Sequence, residues 1–293
     1  MAHAAAAVMA RAKEVAEDRT LRARLWDTAK YLTQTQVHTY AFSVAANAIL
    51  SFFPFLLLML SLTERKLHSP GMTNVFYSLL RDYLPVGQDF VIGNLRKMVW
   101  AHGGIKVFSL VMLLFTSSGV FLPLEVALNE VWGIKKNRSY LHNQIVSLAL
   151  AFACGALAML SVAATAGNRY LLAQLFNQAD NIVVDVLAWV IMKVFALIAG
   201  ILIFFVIYWG LPNGKVPLKP VFTSALVTGV VWEVCKYGYI LCLPLLKFQD
   251  AYGPFSISVT LIFWAFLSGL LLLGGAHLSA NGTAKGEALV TKL

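Results

Sequence analysis

The sequence predicts an all-α fold: a polytopic membrane bundle of six transmembrane helices with amphipathic interfacial helices. Three observations carry this. Of 293 residues, 59% are hydrophobic and 13% charged, with mean hydropathy +0.73, against about 45–50% apolar and about 25% charged in an ordinary soluble domain. The apolar stretches reach or exceed the roughly 20 residues that a helix needs to cross a hydrocarbon core about 30 Å thick. The basic residues behind the net charge of +9 sit mostly in alternate connections between those stretches. That distribution follows membrane topology and argues against nucleic acid as a partner.

Taking the elements in order, residues 1–39 mix Arg11, Lys13, Arg19, Arg22, Arg24 and Lys30 with Val15, Leu21, Leu25 and Trp26. They read as a cytoplasmic amphipathic helix whose basic side chains meet anionic lipid. The early Ala run is too short to span and lacks a basic leader, so a cleaved signal peptide is not expected. A transmembrane domain over 40–280 follows, with apolar segments at 41–63, 104–132, 142–166, 182–209, 217–243 and 253–277. The 64–103 connection alternates charge with short apolar runs and predicts one or two amphipathic helices at the outer surface, with a break at Pro85-Val86-Gly87. Residues 281–293 form a cytoplasmic tail. Lys and Arg in the connections and termini, with Lys219 at the edge of the fifth segment, number thirteen on the side of the termini and seven on the other, so both termini are expected in the cytoplasm.

An ionisable side chain in an apolar interior costs at least a few kcal/mol, so each one needs a reason. At about 1.5 Å per residue, Lys106, Glu130 and Asp185 fall near the interfaces, where ordinary snorkelling accounts for them. Glu125, Lys193, Glu233 and Lys236 stay inside. Lys193 and Glu233 reach similar depths from opposite directions and could pair across two helices. Glu233 and Lys236 are three apart on one helix and could pair locally instead. Two positive and two negative groups sum to zero, which suits either a polar pathway or a network that only fixes packing.

Two segments carry internal breaks. In the second, Thr116-Ser117-Ser118-Gly119 precedes Pro123, which cannot donate to the carbonyl of Gly119. A hydroxyl, a water or a substrate must then satisfy that acceptor. Glu125 and Asn129, four apart, give the cytoplasmic half of this helix a polar stripe. In the first, small and polar residues up to Ser51 precede Pro54 and a run of Phe and Leu. Its first half should be buried and its second half can meet lipid. Kinked helices also serve packing alone. Ala225 with Gly229, and Gly269 within Ser268 to Gly275, permit close helix contact, and self-association is expected from such faces. The sixth segment opens Tyr252-Gly253-Pro254-Phe255-Ser256, which reads either as the lining of an outer mouth or as a helix start with an early proline.

Enzymatic constellations do not emerge. The six histidines are scattered, the three cysteines (Cys154, Cys235, Cys242) lie in apolar runs, and no phosphate-cradling glycine loop with its lysine appears. Neither a metal, a cofactor nor nucleotide hydrolysis is expected, so any transport would run on gradients or through a partner.

Several stretches, in order, resemble the YihY/virulence factor BrkB family of bacterial inner-membrane proteins. They are Ala45-Ala46-Asn47-Ala48-Ile49-Leu50-Ser51-Phe52-Phe53-Pro54, Ala127-Leu128-Asn129-Glu130-Val131-Trp132, Leu211-Pro212 with Val216-Pro217, Trp232-Glu233-Val234-Cys235-Lys236, Tyr252-Gly253 and Leu273-Gly274-Gly275-Ala276-His277. The resemblance covers nearly all of the chain from about residue 38. It implies an acidic residue near Glu125 and a Glu and Lys matching Glu233 and Lys236. At the end of the last segment His277 stands where the family typically has an acid, so a mechanism needing that acid is in doubt here. The family is associated with resistance to host killing and with suggested envelope, lipid or small-molecule export. It has also carried a ribonuclease label that this sequence does not support, since phosphodiester cleavage would want a water-exposed metal cluster. Two functions are expected from different classes. One is a secondary transporter or lipid-translocating exporter, in which Lys193 and Lys236 attract an anionic or amphiphilic head group, Glu125, Asn129 and Glu233 complete a substrate or ion pathway, and Pro54, Gly119 and Pro123 break the helices beside it. The other is a non-transporting scaffold or envelope-assembly partner whose buried charges lock the bundle. Membrane lipids are the expected partners in both.

Overall fold

A computed structural model describes residues 22–84, 87–99, 104–135, 138–175 and 182–290. Within those ranges the side chains of 65, 82–83, 104–106, 109–110, 113–118, 140, 169–175, 182–185 and 282–290 are outside the description. The expectations for residues 1–21, Pro85-Val86, the side chains of Lys106, Thr116 to Ser118, Arg169 and Asp185, and the last lysines therefore fall outside it.

Each long apolar stretch is a helix. α1 covers 22–32 and stops at Thr33 and Gln34, where extended backbone at Gln34 starts α2, Thr35–Ser61. The first long helix thus begins in a polar turn six residues before the apolar run. A π-helical turn, Leu62–Lys66, leads into α3 (Pro70–Tyr83), capped by the Ser69 hydroxyl accepting from the Met72 amide at 3.3 Å. α4 is Gln88–Val99. Between α3 and α4, Gly87 takes φ +68 with its Cβ position against Ile257, so a side chain would be strained and crowded there. The remaining helices are α5 (Gly104–Val131), α6 (Tyr140–Leu175), α7 (Ile182–Gly210), α8 (Leu218–Leu246), the short α9 (Phe248–Tyr252) and α10 (Ser256–Val290). A 3₁₀ turn at Gly253–Phe255 joins the last two.

Among the described residues, five helical stretches are long and apolar enough to cross a membrane: Thr35–Glu64, Leu141–Asn168, Val186–Gly210, Leu218–Leu246 and Phe248–Asn281. α5 is a sixth helix of 28 residues, part of whose side chains lie outside the description. The outward surface is apolar, with Leu141, Leu241 and Leu245 each at least 75% exposed. Such a surface needs lipid rather than water around it.

The helices pack in two tiers. At the end where α1 meets Gly274 and His277 of α10, here the terminal end, one core joins Tyr31, Ala41, Leu124, Leu128, Tyr208, Leu211 and Leu273. Small residues allow the contacts: the Cβ position of Gly269 meets Ala41 on α2, that of Gly229 meets Ile201 on α7, and Ala225 is fully buried. At the opposite end the α3–α4 hairpin lays Val75, Phe76, Leu80, Val91 and Leu95 on Leu56, Leu60, Val162 and Leu261. Amphipathic helices covering the bundle ends explain why this connection alternates charge with short apolar runs.

Candidate functional site

Neither predicted break opens its helix: α2 runs on through Pro54 and α5 through Pro123. The space at Gly119 is filled from α2, where the Asn47 side chain, donating to Ser43 O at 2.9 Å, lies where a Cβ of residue 119 would be. Gly119 is therefore the socket for a polar side chain of the neighbouring helix. α8 holds a third internal proline, Pro244, beyond the segment predicted from hydropathy.

The five charged or polar residues predicted to share a pathway fall into two groups. Glu125 and Asn129 lie at the terminal end, each only 1% exposed. The Glu125 Oε1 carboxylate oxygen accepts from the Arg138 amide at 3.3 Å and from Asn129 Nδ2 at 3.5 Å, and stands 3.7 Å from Arg138 Nη1. The guanidinium then crosses to the α7–α8 connection, donating to Leu211 O at 2.5 Å and Pro212 O at 3.0 Å. Asn129 Oδ1 accepts from the Asn213 amide at 2.7 Å. A buried carboxylate is tolerable when a fork-shaped cation and amides satisfy it, and here it also ties together two connections and α5. Sequence reasoning assigned Arg138 only to charge topology. The signal lay in adjacency: a buried acid near the end of one segment, with a basic run starting ten residues on.

The second group sits near the middle of α7 and α8. Of the two pairings open to Glu233, the local one forms: Lys236 Nζ meets Glu233 Oε1 at 2.6 Å, the lysine side chain 2% exposed and the glutamate 21%. Lys193 instead donates to the Tyr237 hydroxyl at 2.8 Å, with its ammonium 5.2 Å from the Trp189 ring centroid. Tyr237 therefore serves both lysines, since the Lys236 ammonium lies 4.6 Å from its ring centroid. Tyr237 was not singled out in the sequence, where a lone aromatic beside a lysine carries little signal.

Glu233 also lines a cavity of about 430 Å³, within the usual range of small-molecule sites, about 300–1,000 Å³. Its walls come from α2, α3, α6, α7, α8 and α10, and nearly all are apolar, including Phe55, Phe76, Ala196, Gly200, Phe204 and Trp232. Trp232 is fixed by donating from Nε1 to Ser268 Oγ at 2.9 Å. Ser161 also lines the cavity, but its hydroxyl oxygen is buried in the packing and turned away from the open space.

Near the terminal end, His277 stacks on Tyr31 with ring centroids 4.3 Å apart and approaches Thr28 Oγ1 to 3.0 Å through Nδ1. His277 thus holds α1 onto α10. The Tyr208 hydroxyl donates to Leu272 O at 2.8 Å next to Thr228, and the Cβ position of Gly275 lies against both. Glu130 stays exposed and accepts from Gln36 Nε2 at 3.1 Å, as an interfacial residue can. Ser256 donates to Gln249 Oε1 at 2.8 Å, so the polar opening of the last segment closes on α9. Among the described residues, no three His, Cys, Asp or Glu side chains gather where they could hold a metal ion.

The chain is similar to curated membrane proteins of bacteria. A UPF0761 membrane protein of Chlorobium chlorochromatii is 24% identical over 84% of this chain and 56% of its own length, so this chain spans little more than half of that relative. A putative ribonuclease-like protein of Bacillus subtilis, YfkH, is 23% identical over 79% of this chain and 85% of its own. A UPF0761 membrane protein of Aliivibrio salmonicida is 23% identical over 92% and 87%. No solved structure matches the chain. The family model for virulence factor BrkB matches residues 28–289, and this multi-pass membrane protein belongs to the BrkB family.

Proposed function

We propose that the chain is a bacterial inner-membrane secondary transporter or lipid translocator for an amphiphilic, envelope-related substrate, with the terminal end in the cytoplasm. The observation that carries this reading is the Glu233 carboxylate, paired with Lys236, on the wall of a cavity otherwise almost wholly apolar. Charge held deep among apolar helices is expensive, and a polar group passing through is a reason to keep it there. The cavity accommodates the apolar part of an amphiphile. The pair, with Lys193 and Tyr237 beyond it, supplies charge and hydrogen bonds for the polar part. The named relatives add only that such chains are membrane proteins.

The test is flux of fluorescent single-chain and two-chain phospholipids in proteoliposomes carrying the parent, Glu233→Gln or Lys236→Met. Parental flux above that of protein-free vesicles, with both variants folded and slowed, is the expected outcome. Parental flux equal to protein-free vesicles, or both variants at parental rate, would sink the reading.

A second reading, a non-transporting scaffold, is favoured by one observation. Glu125, Asn129 and Arg138 meet one another and a neighbouring connection so fully that they act as a lock. On that reading Glu233→Gln lowers the melting temperature, and the parent itself shows no flux.

A further inference from the structure

Three phenols tie elements of this bundle together by giving their proton away. Tyr208 donates to Leu272 O at 2.8 Å, Tyr239 to Thr260 O at 2.9 Å and Tyr77 to Glu64 Oε1 at 3.1 Å. Tyr237 is used the other way round. Its hydroxyl accepts from Lys193 Nζ at 2.8 Å, and among the described residues none accepts the proton that it keeps. Tyr40 also accepts, from Gln36 at 2.8 Å, but in the polar first turns of α2. Tyr237 lies midway along α8. Hydrocarbon offers no water to such a donor, and leaving it unmet there is costly.

The donors face the bilayer and not the cavity, whose walls include neither Lys193 nor Tyr237. Tyr237 is 39% exposed and Trp189, one turn from Lys193 on α7, is 56% exposed. Lys193 follows Val186, where the crossing stretch of α7 begins, by seven residues, about 10 Å. Its ammonium lies 5.2 Å from the Trp189 ring centroid, so the side chain leans toward the leaflet on the hairpin side. The described charged groups along this seam are two ammoniums and one carboxylate. Lys236 and Lys193 stand 4.6 and 5.5 Å from the Tyr237 ring centroid, and Glu233 meets Lys236 at 2.6 Å. Like charges gathered around one ring repel, and an anion beside them relieves the repulsion. An ammonium N–H and a phenol O–H 2.8 Å apart can both donate to the oxygens of one such anion.

We infer that the outward seam of α7 and α8 binds the phosphate of an anionic phospholipid from the surrounding bilayer, with Lys193 and Tyr237 donating to its oxygens and Trp189 flanking them. The phosphate sits below its usual level, as the local thinning of a bilayer around an embedded charge allows. The inference rests on the function proposed above in taking Lys193 and Tyr237 as contacts for a polar head group. It narrows that group to a lipid phosphate and places it on the bilayer side of the helices, outside the cavity.

The experiment is photo-labelling of the full chain in phosphatidylcholine vesicles doped with phosphatidylglycerol that carries a diazirine near its glycerol, followed by peptide mapping. Phosphatidylcholine with the same diazirine, at the same mole fraction, is the zwitterionic arm. Phosphatidylglycerol is expected to label the segments 186–194 and 234–241 several-fold more than phosphatidylcholine does. Lys193→Met should cut that labelling about ten-fold and Tyr237→Phe about three-fold, the worth of a charged and of a neutral hydrogen bond, while both variants elute and melt as the parent does. Lys193→Arg, which still donates, should keep most of it. Lys247→Met removes an exposed lysine just past the same end of α8 and should change nothing. The site is refuted if the two lipids label these segments alike, if Lys247→Met lowers the labelling as much as Lys193→Met does, or if inorganic phosphate in the buffer abolishes it. Labelling reads occupancy alone. Selective labelling without flux would overturn transport and leave the site standing, and flux without selective labelling would do the reverse.

Discussion

Among the described residues, two acidic side chains, Glu125 and Glu233, lie well inside the long helices, and they are used in different ways. Glu125 is almost inaccessible and is met by Arg138, Asn129 and a main-chain amide. Glu233 is one-fifth exposed, meets one lysine, and borders a cavity. A charge whose hydrogen-bonding capacity is taken up by rigid neighbours holds the fold. A charge beside empty space can exchange partners. Depth along a segment by itself therefore did not separate the two, because both residues fall inside their apolar stretches.

The sharpest way to break this comparison is to remove the cation from each. Arg138→Met leaves Glu125 buried without its fork and frees the carbonyls of Leu211 and Pro212, an expected loss of about 3–5 kcal/mol. Thermal unfolding in detergent should show it, with rescue by the double change Arg138→Met, Glu125→Gln only in part, because the carbonyls stay unmet. Arg138→Lys should restore less than half, since an ammonium cannot reach two carbonyls in a fork. Lys236→Met should cost less, because Glu233 can turn to the cavity and take up water. Equal losses at the two positions would erase the distinction.

The glycines extend the contrast from charge to packing. At Gly275 a Cβ would run into the Thr228 and Tyr208 hydroxyls, and Gly275→Ala is expected to destabilise by about 1–3 kcal/mol. Gly200→Leu places a larger side chain in open space and should leave the melting temperature unchanged or raise it. If Gly200→Leu unfolds the protein as Gly275→Ala does, the middle of the bundle is as tightly filled as the terminal end and the cavity loses its meaning.

The helices were legible because apolar length is a one-dimensional property. Each segment from 41–63 to 253–277 lies almost wholly within an observed helix, and the hairpin broke beside Gly87 as expected. The errors are at ends that hydropathy does not register, such as the polar first turn of α2 at Thr35 and the continuation of α10 past His277. The site was legible only in part. Depth along a helix gave Lys193 and Glu233 a common level, but which way a side chain turns around its helix depends on neighbours that sequence does not order. Hence Lys193 met Tyr237 rather than Glu233, and Arg138 folded back onto Glu125 from a connection.

The smallest expected effect lies in the hairpin, which closes the end of the bundle opposite the lock. There the Tyr77 hydroxyl donates to Glu64 Oε1 at 3.1 Å, with the Arg96 guanidinium 4.6 Å from its ring centroid. Burial, and then the negative charge of Glu64, push the phenol up to about 12. An unfolded tyrosine titrates near 10, so the folded state holds this proton more tightly. The resulting stabilisation is whole below pH 10 and is lost as pH rises through about 12. Near-ultraviolet circular dichroism should show the hairpin aromatics loosening in that window. Tyr77→Phe should lack this component and cost about 1 kcal/mol at neutral pH, the value of one hydrogen bond. Among the described contacts of the lock at the terminal end none is a phenol, so the same pH rise should leave the Arg138-dependent part of the stability in place. A parent and Tyr77→Phe that titrate alike would show that the hairpin is not held through this phenol.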